Sequence, residues 1–167
     1  SKKMTEPRYQ NLESSDVVLA TSHDAGSLIR IIAGIIDGHE GPGGTHTPIT
    51  ICHVTVSAGH QVILPWKPPY NALAYTLSGA GSVGAERVPM QTGRLAVFDA
   101  GESLTFTASE TQNLDLYVLG GKPIREPVAK YGPFVMNNRA ELQQAFEDFQ
   151  AGRLGTVPAN GLRPFRG

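Results

Sequence analysis

The amino-acid sequence predicts an all-β barrel or sandwich that is followed by one α-helix. Between residues 16 and 121, eight short runs rich in Val, Ile, Thr, Tyr and Phe alternate with segments of turn composition. After residue 121 the pattern changes, and apolar residues recur at helical spacing. Many short strands at such regular intervals are typical of sandwiches and barrels. The chain of 167 residues is long enough for one such domain and too short for two full ones.

The predicted strands are separated by the turn-forming segments SAG, KPPYN, SGAG, QTG, DAGE and ETQN. They are VVLA at 17–20, LIRIIAGII at 28–36, ITICHVTV at 49–56, HQVIL at 60–64, ALAYTL at 72–77, RLAVF at 94–98, SLTFTA at 103–108 and LDLYVLG at 114–120. The Gly-rich segment HEGPGGTHTP at 39–48 is longer than an ordinary turn, so its length makes it a candidate functional loop.

The C-terminal helix is predicted over residues 139–151. Asn138 can cap its first turn, Glu141 can complete a capping box, and Gly152 can end the helix in a left-handed conformation. Leu142, Ala145, Phe146 and Phe149 form its apolar stripe. This stripe needs a partner, which we expect to be either the outside of the barrel or a surface that the chain does not contain.

Composition excludes several classes of partner. The 14 Lys and Arg residues against 15 Asp and Glu residues give a formal charge of -1, so direct binding to nucleic acid is not expected. The single cysteine, Cys52, lies in an apolar run, which favours a buried thiol and a reducing, cytoplasmic setting. No run is long and apolar enough for a membrane span. Residues 1–15 are linker-like, and residues 156–167 are interpreted as a tail.

Residues that could carry chemistry are present without a decisive spacing. Four histidines stand at positions 39, 46, 53 and 60, but prolines and glycines interrupt the interval, and a satisfied or surface histidine is more common than a metal ligand. No acid–base pair can be chosen among the carboxylates near turns. Trp66, Tyr70 and Tyr75 could line a cavity, although core packing is the commoner role of aromatic residues.

The tail of the chain carries a long motif. Residues 120–155, GGKPIREPVAKYGPFVMNNRAELQQAFEDFQAGRLG, closely resemble the C-terminal end of the pirin proteins. The segments YNALAYTLSGAGSVG and TGRLAVFDAGESLTF are similar to the second cupin barrel of that family, and KKMTEPRYQ resembles the linker between its two barrels. The resemblance implies a cupin-type barrel, a double-stranded β-helix or jelly roll, at 16–121, with a pirin-type segment at 122–155. A start without Met favours a piece of a two-barrel protein.

The resemblance also implies where a metal site would lie. In pirins the first barrel holds iron through a pattern like H-x-H-x-x-x-E and a later histidine. Placing this chain on that pattern puts Pro65, Lys67 and Asn71 at the first three ligand positions and Phe106 at the last. Proline and phenylalanine donate nothing to a metal, lysine repels it, and a neutral amide is a weak replacement for a carboxylate. Lys67, Asn71, Phe106 and Tyr75 are therefore expected to face a vestigial cavity with no metal.

Three functions follow as hypotheses. By resemblance, the chain is the metal-free, structural or regulatory half of an iron-dependent bicupin, whose other barrel would hold Fe(II) and which is in some members a quercetin (flavonol) 2,3-dioxygenase. Alternatively it is an interaction module of a redox-responsive transcription cofactor, which binds the missing barrel, another protein or a second copy of itself. A weaker alternative is a metal-independent sugar epimerase or isomerase, with His53 or His60 acting beside Tyr75 and a carboxylate.

Overall fold

The structure, a computed structural model, describes residues 2–155. Within them, residues 2–124 form one compact unit and residues 125–155 form a second. The predicted tail at 156–167 lies outside the described residues. The fold class is confirmed, because the chain is mostly β and carries one helix near its C-terminal end.

The first unit is a nine-stranded antiparallel sheet with one additional hairpin. Its strands are β1 (Val18–Thr21), β2 (Ser27–Ala33), β3 (Ile35–Ile36), β4 (His39–Glu40), β5 (Ile49–Val56), β6 (Gln61–Pro65), β7 (Asn71–Val83), β8 (Val88–Gln91), β9 (Leu95–Phe98), β10 (Ser103–Ala108) and β11 (Leu114–Gly121). The main sheet runs β1-β2-β5-β11-β7-β10-β6, with β8 and β9 also paired to β7. The separate β3–β4 hairpin pairs within itself.

Strand β7 joins the two halves of the curled sheet. Its first part pairs with β11 and β9, and its last residues pair with β8 and β10. The predicted strand at 72–77 was therefore too short, and SGAG at 78–81 lies inside a strand. The register of β7 against β11 shifts just before this segment, between Thr76 and Ser78, and Gly79 has a φ of +85°, so SGAG is an irregular part of a strand that continues.

A second difference concerns the predicted strand at 28–36. Strand β2 ends at Ala33, and Gly34 follows with a φ of +78°. The next residues form the short β3–β4 hairpin, whose turn is made by Asp37 and Gly38, both with positive φ. Two such residues between paired strands are typical of a type I′ turn, which Asp-Gly favours. The loop predicted from residue 39 thus begins as a strand.

The core of the first unit follows from strand alternation. On β5 and β11, every second residue is buried and the intervening ones are half-buried or exposed. The fully buried side chains with the largest volumes are Phe106, Ile31, Leu114, Leu116, Val54, Val56, Val118, Thr76 and Cys52. The interior is therefore filled with packed apolar groups.

The second unit consists of a hairpin and the helix. Strands β12 (Ala129–Tyr131) and β13 (Phe134–Met136) pair antiparallel, and helix α1 spans Arg139–Gln150. The Asn138 side chain caps α1 by accepting a 2.9 Å hydrogen bond from the Glu141 N–H. Gly152 follows the helix with a φ of +69°, as the sequence predicts. No helix within residues 2–155 is long and apolar enough to cross a membrane.

The apolar stripe of α1 finds a partner that sequence reasoning did not consider. The ring of Phe146 contacts Phe134 at a centroid distance of 4.8 Å and Tyr131 at 5.7 Å. The YGPFVM segment thus forms a hairpin that packs on the helix. We expected the barrel surface or an absent surface, and the stripe instead packs in part within its own unit.

Candidate functional site

The interior of the curled sheet holds apolar, hydroxyl and thiol side chains. Among residues 2–124, the buried polar side chains are Ser27, Thr50 and Thr76, and all are hydroxyls. Cys52 is enclosed, and burial raises the pKa of its thiol to about 12, so it stays protonated at neutral pH. Iron(II) favours imidazole and carboxylate ligands. This interior does not fit iron, and no three His, Cys, Asp or Glu residues within 2–155 converge on one point.

The four residues predicted to share a vestigial cavity are not brought together. Phe106 lies in the core, where its ring meets that of Phe98 edge-on at 6.0 Å. Tyr75 is exposed, since it alternates along β7 with the buried Ala74 and Thr76. Lys67 and Asn71 are exposed at either end of the connection between β6 and β7. Phe106 and Tyr75 thus lie on opposite faces of the sheet.

The outer face of the sheet carries an organised row of side chains. Strand register aligns Leu19, Arg30, His53, Tyr117, Tyr75 and Leu95 across β1, β2, β5, β11, β7 and β9. Next to it runs an apolar row of Ile51, Leu119, Leu73 and Val97. Val97 is 77 % exposed and Leu95 is 56 % exposed. We call these two rows the outer sheet face.

A hydrogen-bond network lies on and beside this face. Arg30 Nη1 is 3.3 Å from His53 Nδ1 and donates to Thr55 Oγ1 at 3.1 Å. Thr55 donates to Asp115 Oδ1 at 2.7 Å, and Ser78 donates to Asp115 Oδ2 at 3.1 Å. His53 Nε2 lies 3.3 Å from Asp115 Oδ1. Four strands, β2, β5, β11 and β7, are therefore linked by one set of polar contacts.

This network determines what His53 can do. A guanidinium cannot accept a hydrogen bond, so Nδ1 of His53 must be the acceptor from Arg30, and the neutral ring then carries its proton on Nε2. Nε2 faces the Asp115 carboxylate at 3.3 Å, so both ring nitrogens of His53 are directed at other side chains of the sheet. The ring of Tyr117 is 5.5 Å from that of His53, so a His, an Asp and a Tyr do converge. Tyr117 joins this group by ring contact alone, and the Tyr75 that the epimerase hypothesis requires makes none of these contacts.

One cavity of the first unit lies between its outermost strands. It measures about 440 Å³ and is lined by β1 with the residues that follow it, by part of the β3–β4 hairpin, and by β6. Asp24 lines this cavity. Hydrogen bonds from Ser22 and from the Gly26 N–H hold the pKa of that carboxyl below its usual range. His39 also lines the cavity and bonds the Asp37 carbonyl through Nδ1, so the lining combines polar groups with the apolar side chains of Ile29, Val62 and Leu64.

A smaller cavity of about 210 Å³ shares Asp37 and Pro65 with the first. Trp66, Lys67 and Tyr70 line it, so two of the three aromatic residues considered as cavity-lining, Trp66 and Tyr70, do lie at one. Tyr75 does not line either cavity. Asp37 belongs to the turn of the β3–β4 hairpin, which lines both cavities. The Asp-Gly sequence of this turn is the signal from which the hairpin could have been predicted.

Comparison with known proteins decides the family. The model of the pirin C-terminal cupin domain matches residues 51–155. The chain belongs to the pirin family. This pirin-family cupin is 35% identical over 153 residues to a Pseudomonas aeruginosa protein provisionally named quercetin 2,3-dioxygenase, and 34% identical over 154 residues to a pirin-like protein of Solanum lycopersicum. Each match covers 92% of the chain and 52% of the relative.

Solved structures agree. The crystal structure of a quercetin 2,3-dioxygenase from Acinetobacter baumannii matches with a TM-score of 0.80 and 30% identity, over 93% of this chain and 54% of that one. The pirin-family cupin therefore spans about half the length of the relatives that it matches. The predicted family is confirmed, and the dioxygenase names belong to longer proteins.

Proposed function

We propose that this pirin-family cupin is a non-catalytic, structural half of a two-barrel protein, and that its outer sheet face docks the iron-bearing barrel. The observation that carries the proposal is the outer sheet face itself, where apolar and aromatic side chains from five strands lie half-buried or exposed beside a hydrogen-bonded polar network. An exposed apolar surface of this extent is typical of an interaction site.

The interior and outer faces of the sheet differ in chemistry, and this difference supports separate roles for the two barrels. The interior is filled with apolar side chains and does not fit iron, so the oxidation of a flavonol by a metal would take place in the other barrel. The outer sheet face has the composition of an interface centre, with Tyr75 and Tyr117 beside Arg30, residue types that are enriched at interface hot spots. The relatives are about twice as long as the matched region, which supports a second barrel as the occupant.

Metal analysis tests the first part of the proposal. The purified chain is incubated with Fe(II), passed through a desalting column and assayed for metal by mass spectrometry, and quercetin oxidation is followed by oxygen uptake. We expect far less than one iron per chain and oxygen uptake equal to the buffer control. Near-stoichiometric tight iron, or uptake above that control, would contradict a non-catalytic role.

Self-association tests whether the outer sheet face is an interface. In a solution of the isolated chain, a second copy is the barrel that can cover this face. Sedimentation velocity over a wide concentration range should show a concentration-dependent dimer that Val97→Asp and Tyr117→Asp weaken. Val88→Asp is the matched control, since Val88 is 51 % exposed on β8 and lies outside the outer sheet face. An equal effect of Val88→Asp, or a dimer that neither Val97→Asp nor Tyr117→Asp weakens, would refute docking through this face.

A further inference from the structure

The smaller cavity has features that the proposed docking role does not use. Its wall combines Pro65, Trp66, Lys67 and Tyr70 with Asp37 from the β3–β4 hairpin and Thr50 from β5. Its volume of about 210 Å³ exceeds the roughly 150 Å³ of a cavity that admits benzene. A molecule with one aromatic ring and small substituents therefore has the right size.

Trp66 gives this wall a nearly buried indole ring. The side chain is 8 % exposed, and its Nε1–H has no hydrogen-bond partner in the described part of the chain. The residue is fixed on both sides, since its backbone N–H donates to the Glu102 carbonyl at 2.7 Å and its ring packs against Gly120. Its Nε1 atom is itself buried, so Trp66 offers the cavity a fixed aromatic surface and not a hydrogen bond.

Lys67 places a positive charge at the Tyr70 ring in the same cavity wall. The Lys67 ammonium lies 5.4 Å from the centre of the Tyr70 ring, over its face. The Tyr70 N–H donates to the Lys67 carbonyl at 2.9 Å, which closes a turn through Pro68 and Pro69. Two prolines restrict the backbone of this turn, so Lys67 and Tyr70 are held close together before any ligand binds. The charge of Lys67 favours an anionic acceptor.

Asp37 adds a negative charge to a cavity wall that also contains the positive charge of Lys67. It lies in the hairpin turn and adds a carboxylate to a wall that otherwise offers donors and apolar surface. A carboxylate accepts a hydrogen bond from a hydroxyl group and repels a second negative charge. The matching ligand has one carboxylate for Lys67, a ring for Pro65, Trp66 and Tyr70, and a hydroxyl group for Asp37.

We propose that this cavity binds a small hydroxylated aromatic carboxylate with a single ring. The probe is 4-hydroxybenzoate. Trp66 is the one tryptophan of the sequence, so the indole N–H resonance and the tryptophan fluorescence of the whole chain both report on this cavity. Titration should shift that resonance and change the fluorescence saturably, with the same dissociation constant from both signals.

Matched variants test the two polar contacts. Lys67→Met keeps an extended side chain without its charge and should weaken binding at least tenfold. Lys130→Met changes an exposed lysine on β12, in the second unit, and should leave binding unchanged. Asp37→Asn should remove the preference for 4-hydroxybenzoate over benzoate, and asparagine tolerates the positive φ of this position.

Four results would overturn the proposal. They are a shift that does not saturate, equal losses in Lys67→Met and Lys130→Met, an unchanged preference in Asp37→Asn, and binding of the cation 4-hydroxybenzylamine as tight as that of 4-hydroxybenzoate. Spectra of the free variants that match the wild type show that a loss of binding does not arise from unfolding. The outcome is independent of dimer formation, so it can fail or succeed separately from the docking role.

Discussion

Replacing Gly79 with alanine should destabilise the first unit through a collision inside the sheet. Gly79 has a φ of +85°, where a residue with a Cβ is strained by about 1–2 kcal/mol. A Cβ at this position would lie 2.9 Å from the carbonyl carbon of Asn113 and 3.4 Å from the Leu114 Cα, with the Asn113 oxygen closer still. All three atoms belong to the backbone of β11 or of the residue before it, so no flexible side chain can move aside.

The cost of this collision can be separated from the cost of the positive φ. Overpacking of this kind costs about 1–3 kcal/mol, so Gly79→Ala should lower the free energy of unfolding by about 2–5 kcal/mol. Gly84→Ala is the matched control, because Gly84 has a φ of +73° and nothing within 4 Å of its added Cβ. It should cost only about 1–2 kcal/mol.

Urea unfolding followed by circular dichroism measures both variants, with the slope m as a check that the unfolding transition is unchanged. The expected difference of ~1–3 kcal/mol corresponds to about 2–12 °C in Tm for a chain of this size. Equal losses in Gly79→Ala and Gly84→Ala would show that β11 yields to the new methyl group. The close packing of β7 on β11 would then not be what requires glycine in SGAG.

Three other substitutions test the network, the core thiol and the helix. Asp115→Ala removes the hydrogen-bond acceptor of Thr55 and Ser78 and the partner of His53, so we expect the free energy of unfolding in urea to fall by about 1–2 kcal/mol. Asp99→Ala, at an exposed position, should change it by almost nothing. Equal losses in the two variants would refute a stabilising role of the network. Burial raises the pKa of the Cys52 thiol to about 12, against an ordinary 9.0, so the folded protein binds this proton more tightly than the unfolded chain does. The resulting contribution to the free energy of unfolding is fully present below pH 9. It is lost as the pH rises towards 12, by about 4 kcal/mol in total. Stability measured against pH should therefore fall more steeply in the wild type than in Cys52→Ala, and parallel curves would contradict this. Asn138→Ala removes the cap of α1 and should cost about 1 kcal/mol, seen as faster hydrogen exchange of the amides at 140–143, with unchanged rates in the first unit as the control.

Prediction from sequence succeeded where local pattern and burial agree. ITICHVTV and SLTFTA were predicted as strands with the bounds that β5 and β10 have in the structure. In both, alternate residues face a core, so the period of two is carried by the residues themselves. The capped helix was found for the same reason, since its cap, stripe and final glycine all lie within one short segment.

Prediction failed where glycine has a role set by distant residues. Gly79 was assigned to a turn because Ser-Gly-Ala-Gly has turn composition, yet the strand continues and the glycine is required by the approach of Asn113. The Asp-Gly pair at 37–38 is the opposite case, because it carried a strong hairpin signal that sequence reasoning did not use. The first error could not have been avoided from sequence, whereas the second could.

The sequence by itself determined the all-β fold, the C-terminal helix and the pirin resemblance, because each is written in short segments of strand period, helix period or motif. Tertiary structure decided which side chains meet. Thr55 and Asp115 are 60 residues apart and share a hydrogen bond only because β5 and β11 are neighbours in the sheet. Likewise, Trp66 and Lys67 face Asp37 only because the β3–β4 hairpin lies next to the end of β6. Alternation along a strand tells which face a residue takes, but the order of strands is set by long-range pairing, which no local pattern encodes.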